Sequence, residues 1–415
     1  MGSIIVFIKK YISLIIPTGI FIVSIVFIVM SSMTKKSLAE SIEKTSLSKS
    51  KAIKSLIRNT PAEKQYEQEK RYQDAYAKDA GSIEQLVKQS ALRDLISYNI
   101  FPKPQDTSRQ LYLDFGNDYR KAIEGLVKSM DALDAPGEAA ISEVTGHLSG
   151  SGSSARRGRR QNASEDDPKA ALIDAICRRR AESAHVYADP TLFKWYDFWD
   201  GYVYPGPEIA LEDAWFSQLS YWVYGDIATT IRTMNADSKC VYDSPIKRLI
   251  GIGFADLVDY ETKQRRRVFA NGDEAIYVWH EDIQQLGVYP WSGRRCDDDI
   301  DVIHFSVAVV VGSKHVMPFM KNLCSQKEHK HREGYLLEGK ENTYTHNQIT
   351  ILQCETEPIV LDDEVHDNYQ YGDDAIVKLH LICEYILNRN GIDQIKPLSV
   401  KMLLGQAEEE VEEEM

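Results

Sequence analysis

The hydrophobic pattern separates an apolar N-terminal run from a polar helical middle and a strand-rich C-terminal part. Residues 11–30 carry no charged side chain and consist mostly of Ile, Val, Leu and Phe. About twenty helical residues span roughly 30 Å, the thickness of the hydrocarbon core of a bilayer. The sequence therefore predicts a cytoplasmic N-terminus and a single-pass transmembrane anchor within residues 1–33.

A cleaved signal peptide is the alternative to this anchor. Lys9 and Lys10 precede the apolar run, and the small residues at 37–39 resemble a cleavage site. The run is long for a signal peptide and the site lies well beyond its end, which favours the anchor. Lysines that follow the run favour a cytoplasmic C-terminal domain, although long domains are translocated regardless of such charges. The sequence leaves the orientation open.

Residues 34–146 are predicted to form a helical stalk. The first part contains a weak heptad seam of Leu38, Ile42, Ala52 and Leu56, which is interrupted by Thr45 and Lys49. A solvated helix and a self-pairing coiled coil are both compatible with this pattern. Apolar residues at helical spacing between positions 119 and 130 predict a further helix near the end of the stalk.

The composition changes at residues 147–169, where Gly, Ser and charged residues dominate. Such a segment cannot build a core, so we predict a flexible linker. Its arginines, at positions 156, 157, 159 and 160, are followed directly by acidic residues. A solvated charge run is therefore favoured over a contact with an acidic partner.

Residues 170–243 are predicted to be helical and to contain an aromatic corner, which holds six aromatic side chains between Trp195 and Tyr204. Buried rings with hydrogen-bonded polar tips would make this segment a packing corner between two helices. Exposed rings would instead bind a ligand or glycan, or dock a partner subunit. The packing corner is favoured, and docking is the preferred functional interpretation. We predict Trp195, Trp199 and Tyr202 as partner-binding residues.

Residues 244–405 show the alternation that is typical of strands. The clearest example places Ile, Phe and Val on one face between positions 303 and 311. A helix and two further strands follow, at residues 316–326, 347–358 and 374–389. This order predicts an α+β protein with a split βαββ, ferredoxin-like domain and helices on one side of the sheet. Residues 406–415 are predicted to form a disordered acidic tail.

Two clusters of possible metal ligands have simpler interpretations. Cys324, His329 and His331 lie close in sequence, with His315 upstream, but their spacing is not that of a zinc site, and a polar loop is favoured. Residues 297–301 are rich in Asp but lack the Gly and Glu of a calcium-binding loop, which favours a charged turn.

Motifs for other chemistry are absent from the sequence. It contains no GxSxG elbow, phosphate-binding loop or HExxH motif. The glycines at 251 and 253 lack the third glycine of a dinucleotide site, so a bend or bulge within a strand is predicted. The net charge of −13 argues against a general nucleic-acid binder. We predict no enzymatic activity, cofactor, metal or small-molecule substrate.

The order of anchor, helical stalk and βαββ sheet resembles the PilO-like and GspM-like inner-membrane alignment proteins of type IV pilus and type II secretion systems. The stretch FSVAVVVGSKHVMPFMKNLCSQ, followed by YTHNQITILQCETEPI, is similar to the strand, Pro-opened helix and returning strand of PilO-like domains. The matching helix residues are Pro318, Phe319 and Leu323. The resemblance covers the anchor and roughly residues 209–404. The chain also resembles uncharacterised anchored proteins of planctomycete-type bacteria.

This resemblance implies a non-enzymatic scaffold of an envelope-spanning assembly that pairs with itself or with sister subunits. It further implies a bacterial inner-membrane location with the large domain in the periplasm. The linker at 147–169 and the insert between 260 and 303 depart from a minimal PilO-like domain. A membrane-anchored, extracytoplasmic ligand- or glycan-binding module is the alternative function.

Overall fold

The computed structural model describes residues 2–59, 63–101, 104, 106–146, 168–254, 277–278 and 291–407. The chain divides into an N-terminal unit, Met1–Ser82, and a C-terminal unit, Ile83–Met415. Most of the predicted linker and acidic tail lie outside the described residues, as does most of the insert between 260 and 303.

Helices make up the described part of the N-terminal unit. They are α1, Gly2–Ile42, which continues through a π-helical turn at Glu43–Leu47 into α2, Ser48–Asn59, and then α3, Glu63–Ala91, which belongs to the C-terminal unit from Ile83 onwards. The helical segment Pro17–Leu56 contains an 18-residue stretch that is long and apolar enough to cross a membrane. Its apolar side chains are exposed, so no described part of the chain covers them. A signal sequence has the same length and composition, so both interpretations of this segment stay open.

The helices of the C-terminal unit surround a large apolar core. They are α4, Arg109–Ser129, α5, Glu138–Gly146, α6, Pro168–Ser183, α7, Lys194–Asp200, α8, Pro207–Asn235, α9, Val316–Leu323, α10, Arg389–Ile392, and α11, Leu398–Leu403. The side chain of Ser108 accepts a hydrogen bond from the Leu111 N–H and thereby caps α4. Pro207 fits the first turn of α8, where its missing N–H is not needed.

Helix α4 belongs to the C-terminal unit, whereas the predicted stalk runs to residue 146. Its buried residues are Tyr112, Phe115, Gly116, Tyr119, Ile123 and Val127, and they recur every three or four positions. They join the same core as the buried face of α8. The spacing of these residues can be read from the sequence, but the apolar face of one helix does not show which element it packs against.

A four-stranded antiparallel sheet forms the second layer. The strands are β1, Ile246–Gly253, β2, Ile300–Gly312, β5, Ile349–Pro358, and β6, Ile376–Asn388, in the order β1-β2-β6-β5. A separate hairpin pairs β3, Lys327–Arg332, with β4, Glu341–His346. Since β6 runs antiparallel to both of its neighbours, β2 and β5 are parallel and flank it. The predicted mixture of helix and sheet is confirmed.

Strand β2 is buried along almost its whole length. On one face, Phe305, Val307 and Val309 join the core that contains α8 and α9. On the other, Ala308 and Val310 pack in a smaller cluster with tyrosine side chains. The alternation seen in the sequence therefore corresponds to two covered faces, because both sets of alternating residues are apolar in the second half of the strand.

Two local predictions have different outcomes. The predicted bulge near Gly251 is confirmed, because the β1–β2 register shifts between Leu249 and Gly251. The predicted polar loop containing His329 and His331 is wrong. Those residues lie in β3, where buried and exposed side chains alternate. Lys and His were interpreted as loop residues because of their polarity, whereas the period of two was the stronger signal.

Candidate functional site

The aromatic corner lies between α7 and the start of α8, and its predicted partner-binding residues are mostly buried. Trp195, Trp199 and Tyr202 all join the large core. The indole N–H of Trp199 donates to Ser217 Oγ at 2.9 Å, and the Tyr202 hydroxyl donates to Asp213 Oδ2 at 2.9 Å. Burial raises the pKa of Tyr202 above its ordinary value, and the neighbouring Asp213 carboxylate adds to this effect.

Close packing holds the Trp199 ring in place. A Cβ atom added at Gly116 of α4 would lie 2.5 Å from the Trp199 ring, so only glycine fits there without a shift. The ring also meets Phe115 edge-on, with centroids 5.4 Å apart, and contacts Tyr202 at 4.3 Å. Such geometry is typical of a packed core. Buried rings present little area to a glycan or ligand, and the exposed large apolar residues of the corner are Phe198 and Val203.

A buried polar cluster, which we call the Arg93 cluster, lies inside the C-terminal unit. It consists of Arg93, Asp226, His346, Gln348 and Tyr385. Atom Nη2 of Arg93, which carries two hydrogens, lies within hydrogen-bond distance of Gln348 Oε1 at 2.7 Å, His346 Nδ1 at 3.1 Å and Asp226 Oδ2 at 3.3 Å. The hydroxyl of Tyr385 also contacts Arg93 and donates to Asp226 Oδ2 at 2.7 Å.

The members of the cluster come from four separate parts of the chain. Arg93 follows the last turn of α3, Asp226 lies in α8, and Tyr385 lies in β6. His346 ends β4, and Gln348 donates through Nε2 to the Ser90 carbonyl at 3.1 Å. One guanidinium therefore connects the end of α3 to a helix, the hairpin and the sheet.

The charges within the cluster compensate one another. Burial disfavours the ionised Asp226 carboxylate, but Arg93 and the hydrogen bonds from His346 and Tyr385 hold its pKa well below the ordinary value. Burial lowers the pKa of His346, so the imidazole is neutral at pH 7. With Nδ1 accepting from Arg93, Nε2 carries the proton, and it lies 3.2 Å from Asp226 Oδ1.

The hairpin places further polar side chains on its buried face. His329 and His331 alternate with exposed residues in β3, and the His329 ring lies 5.0 Å from that of His346. Burial, with Arg93 nearby, lowers the pKa of His329 to about 3. Lys327 donates to the carbonyls of Asn322 and Leu323 and thereby caps α9. In the part of the chain that the structure describes, no group of three or more His, Cys, Asp or Glu side chains is arranged to hold a metal ion.

The Asp-rich residues 297–301 form a turn whose contacts are internal. Asp297 Oδ1 accepts from the backbone N–H groups of Asp299 and Ile300, at 2.8 and 2.9 Å. Asp301 is buried, and its Oδ2 lies 2.5 Å from Nζ of the equally buried Lys396. These contacts account for the acidic run as a turn followed by a buried ion pair.

A second buried polar group lies on the opposite face of the sheet. His304 of β2 stands beside Glu384 of β6 in the register. Atom Oε1 of Glu384 lies 3.1 Å from Nε of Arg294, and Ser292 donates to its other oxygen. Among the described residues, neither ring nitrogen of His304 has a hydrogen-bond partner, and burial lowers the pKa of His304 to about 4.

The sequence signals for the Arg93 cluster and for the group around His304 and Glu384 are weak. A lone Arg after a helix and a Tyr within an apolar strand are common, so the Arg93 cluster was missed. No family model, curated protein or solved structure matches this chain. The resemblance to PilO-like and GspM-like proteins therefore stays a prediction from the sequence.

Proposed function

We propose that the protein is a non-enzymatic, single-pass membrane scaffold of an envelope-spanning pilus or secretion assembly, and that it pairs with itself or with sister subunits. The observation that carries the pairing is one exposed, almost uncharged face of α3. The kind of assembly rests on the PilO-like resemblance, as does the expectation that the large domain lies in the bacterial periplasm.

The α3 face is defined by Tyr72, Tyr76, Ile83, Leu86 and Val87. At 100° per residue these side chains lie on one side of the helix, with the three-and-four spacing of a coiled-coil seam. All five are exposed in the single chain. We call them the α3 seam.

The charged residues of the same stretch lie mostly on the other side of α3. They are Asp74, Lys78, Glu84 and Lys88, and Asp79 is the one charged residue within the seam side between positions 72 and 87. A helix with an uncharged face normally gains its stability by covering that face. Copies anchored in one bilayer run parallel and at high local concentration, which favours pairing of identical seams.

The order of strands and helices supports the finer fold prediction. Strand β2 is followed by α9, and the chain then returns through β5 to β6, which lies between β2 and β5. Helices α8 and α9 contribute to the core on one face of the sheet. This is the arrangement expected of the split βαββ, ferredoxin-like domain that the PilO-like resemblance implies.

Cysteine cross-linking tests the pairing. We expect Ile83→Cys, in the α3 seam, to give a disulfide-linked dimer after mild oxidation of native membranes. Lys88→Cys, on the far side of the same helix, is the matched control and should stay at the wild-type background. Equal cross-linking of both variants, or none above background, contradicts pairing through α3.

The intact mass of the mature protein tests the anchor separately. A full-length mass together with resistance to alkaline extraction supports the anchor. A chain that begins near residue 40 would show that the apolar segment is a signal peptide. Protease accessibility in spheroplasts and in lysed cells then decides on which side of the membrane the large domain lies.

A further inference from the structure

The aromatic corner and the first turn of α8 carry three exposed apolar side chains. They are Phe198, Val203 and Ile209, with exposed fractions of 39%, 82% and 53%, and we call them the corner patch. The Phe198 ring rests on the buried rings of Trp195, Trp199 and Tyr202, with centroids 4.8–5.3 Å away. Single exposed apolar residues are common, so the patch needs further support before it indicates a site.

The first support is that hydrogen bonds hold the loop around Val203 in place. Tyr204, next to Val203, donates from its hydroxyl to the Thr107 carbonyl at 2.8 Å. Tyr202, on its other side, is held by Asp213. Gly206 has φ of 124°, a conformation that favours glycine and turns the chain into α8. The loop is thus fixed on both sides of its most exposed apolar residue, which limits the conformational entropy that binding would cost.

The second support is the charge around the patch. From position 195 to position 213 the chain contains no Lys or Arg, and its carboxylates are Asp197, Asp200, Glu208, Glu212 and Asp213. Arg120 of α4 approaches this stretch, where it pairs with Asp200 and lies over the Tyr196 ring, 4.6 Å from the centroid. One cation among five carboxylates leaves the surroundings of the patch strongly negative.

We propose that the corner patch binds a basic amphipathic helix of a partner protein. The apolar face of such a helix covers Val203 and its neighbours, and its Lys and Arg residues face the carboxylates. Charge complementarity of this kind selects the partner and speeds its association, while the apolar contacts supply most of the affinity. The proposal is independent of pairing through α3, since it uses different residues.

Photo-cross-linking of the full chain in phosphatidylcholine nanodiscs tests this proposal. The probe is a helical peptide of about 18 residues with Leu on one face, Lys on the other and one photoreactive benzoylphenylalanine. A second peptide carries Glu in place of Lys. We expect the Lys peptide to cross-link mainly to the tryptic fragment 195–232, and the Glu peptide to cross-link at least tenfold less.

Matched variants make the test specific. Val203→Ser should weaken cross-linking about tenfold, because one buried valine side chain is lost from the contact. Val360→Ser replaces another exposed valine and should change it less than twofold. Glu208→Gln/Glu212→Gln should weaken binding at low salt, with the difference vanishing near about 0.5 M salt.

Three results would overturn the proposal. They are equal cross-linking by the Lys and Glu peptides, equal effects of Val203→Ser and Val360→Ser, and cross-links spread over the acidic surface rather than concentrated in fragment 195–232. Because Ile83→Cys pairing is measured on other residues, failure of the corner patch leaves the α3 result to be judged by itself.

Discussion

The two units of the chain differ in which side chains they expose and which they bury. In the N-terminal unit, apolar side chains such as Phe27, Ile28 and Leu38 are exposed. In the C-terminal unit, charged side chains such as Arg93, Asp301 and Lys396 are buried and paired. The first unit thus leaves its apolar surface to be covered by lipid or by another chain, whereas the second pairs these buried charges within itself.

This contrast shows where the free energy of folding resides. Buried ion pairs contribute little net stability, but removal of one partner is costly because the other charge stays buried. Exposed apolar side chains without contacts in the chain contribute almost nothing to its folding. Substitutions in the C-terminal unit should therefore destabilise strongly, and those in the exposed helices should not.

The largest expected effect concerns Arg93. Arg93→Ala should lower the free energy of unfolding by about 3–5 kcal/mol, because Asp226 would stay buried without its cation. Arg120→Ala is the matched control, since its pair with Asp200 is partly exposed and is worth about 1 kcal/mol or less. Urea unfolding followed by Trp fluorescence measures both. Similar losses in the free energy of unfolding would show that the buried Arg93 pair contributes no more than the partly exposed Arg120 pair.

The next effect concerns two glycines of the same helix. Gly116→Ala should destabilise by about 1–3 kcal/mol, because the new methyl group meets the Trp199 ring. Gly125→Ala has open space around it and should stabilise by up to about 1 kcal/mol, as Ala is the better helix former. Thermal unfolding compares the two. A neutral Gly116→Ala would mean that the ring has room to move.

A smaller effect is expected in the pH dependence of the free energy of unfolding. The pKa of His304 is about 4 in the folded protein and about 6.5 when unfolded, so the unfolded state binds more protons below pH 6.5. Stability therefore falls as the pH drops from 6.5 towards 4. His304 should account for about 2 kcal/mol of the loss at pH 5. His304→Gln should remove that part of the slope, and an unchanged slope would contradict it.

The smallest effect is expected in the N-terminal unit. Leu38→Ala and Ile53→Ala should change the free energy of unfolding of the C-terminal unit by no more than about 0.5 kcal/mol, because both side chains are exposed. Urea unfolding of the full chain in detergent measures this. A loss of several kcal/mol would show that these side chains support the folded core after all.

The sequence revealed elements with a single dominant pattern. Three features could be read from the sequence, because each rests on a local periodic pattern. They are the apolar run of α1, the alternation in β2, and the order of β2, α9, β5 and β6. The hairpin of β3 and β4 was missed, because its buried positions are Lys327, His329 and His331 rather than apolar residues. Their burial depends on partners far away in sequence.

The candidate site was predictable only in part. The aromatic density marked the corner correctly as a junction between helices, but one sequence does not show which rings point inwards. Trp199 is buried because Gly116, more than eighty positions away, leaves space for its ring. Phe198, the next residue, is partly exposed. Neighbours in sequence thus differ through contacts that no local pattern encodes.

The position of Arg93 has a mechanical consequence. The residue stands two positions after the end of α3, so tension applied along the last turns of that helix reaches it directly. Its contacts with Asp226, His346, Gln348 and Tyr385 all meet at one atom, Nη2, so tension on the guanidinium acts on all four at once. Force applied through α3 is therefore spread at once over a helix, a hairpin and the central sheet.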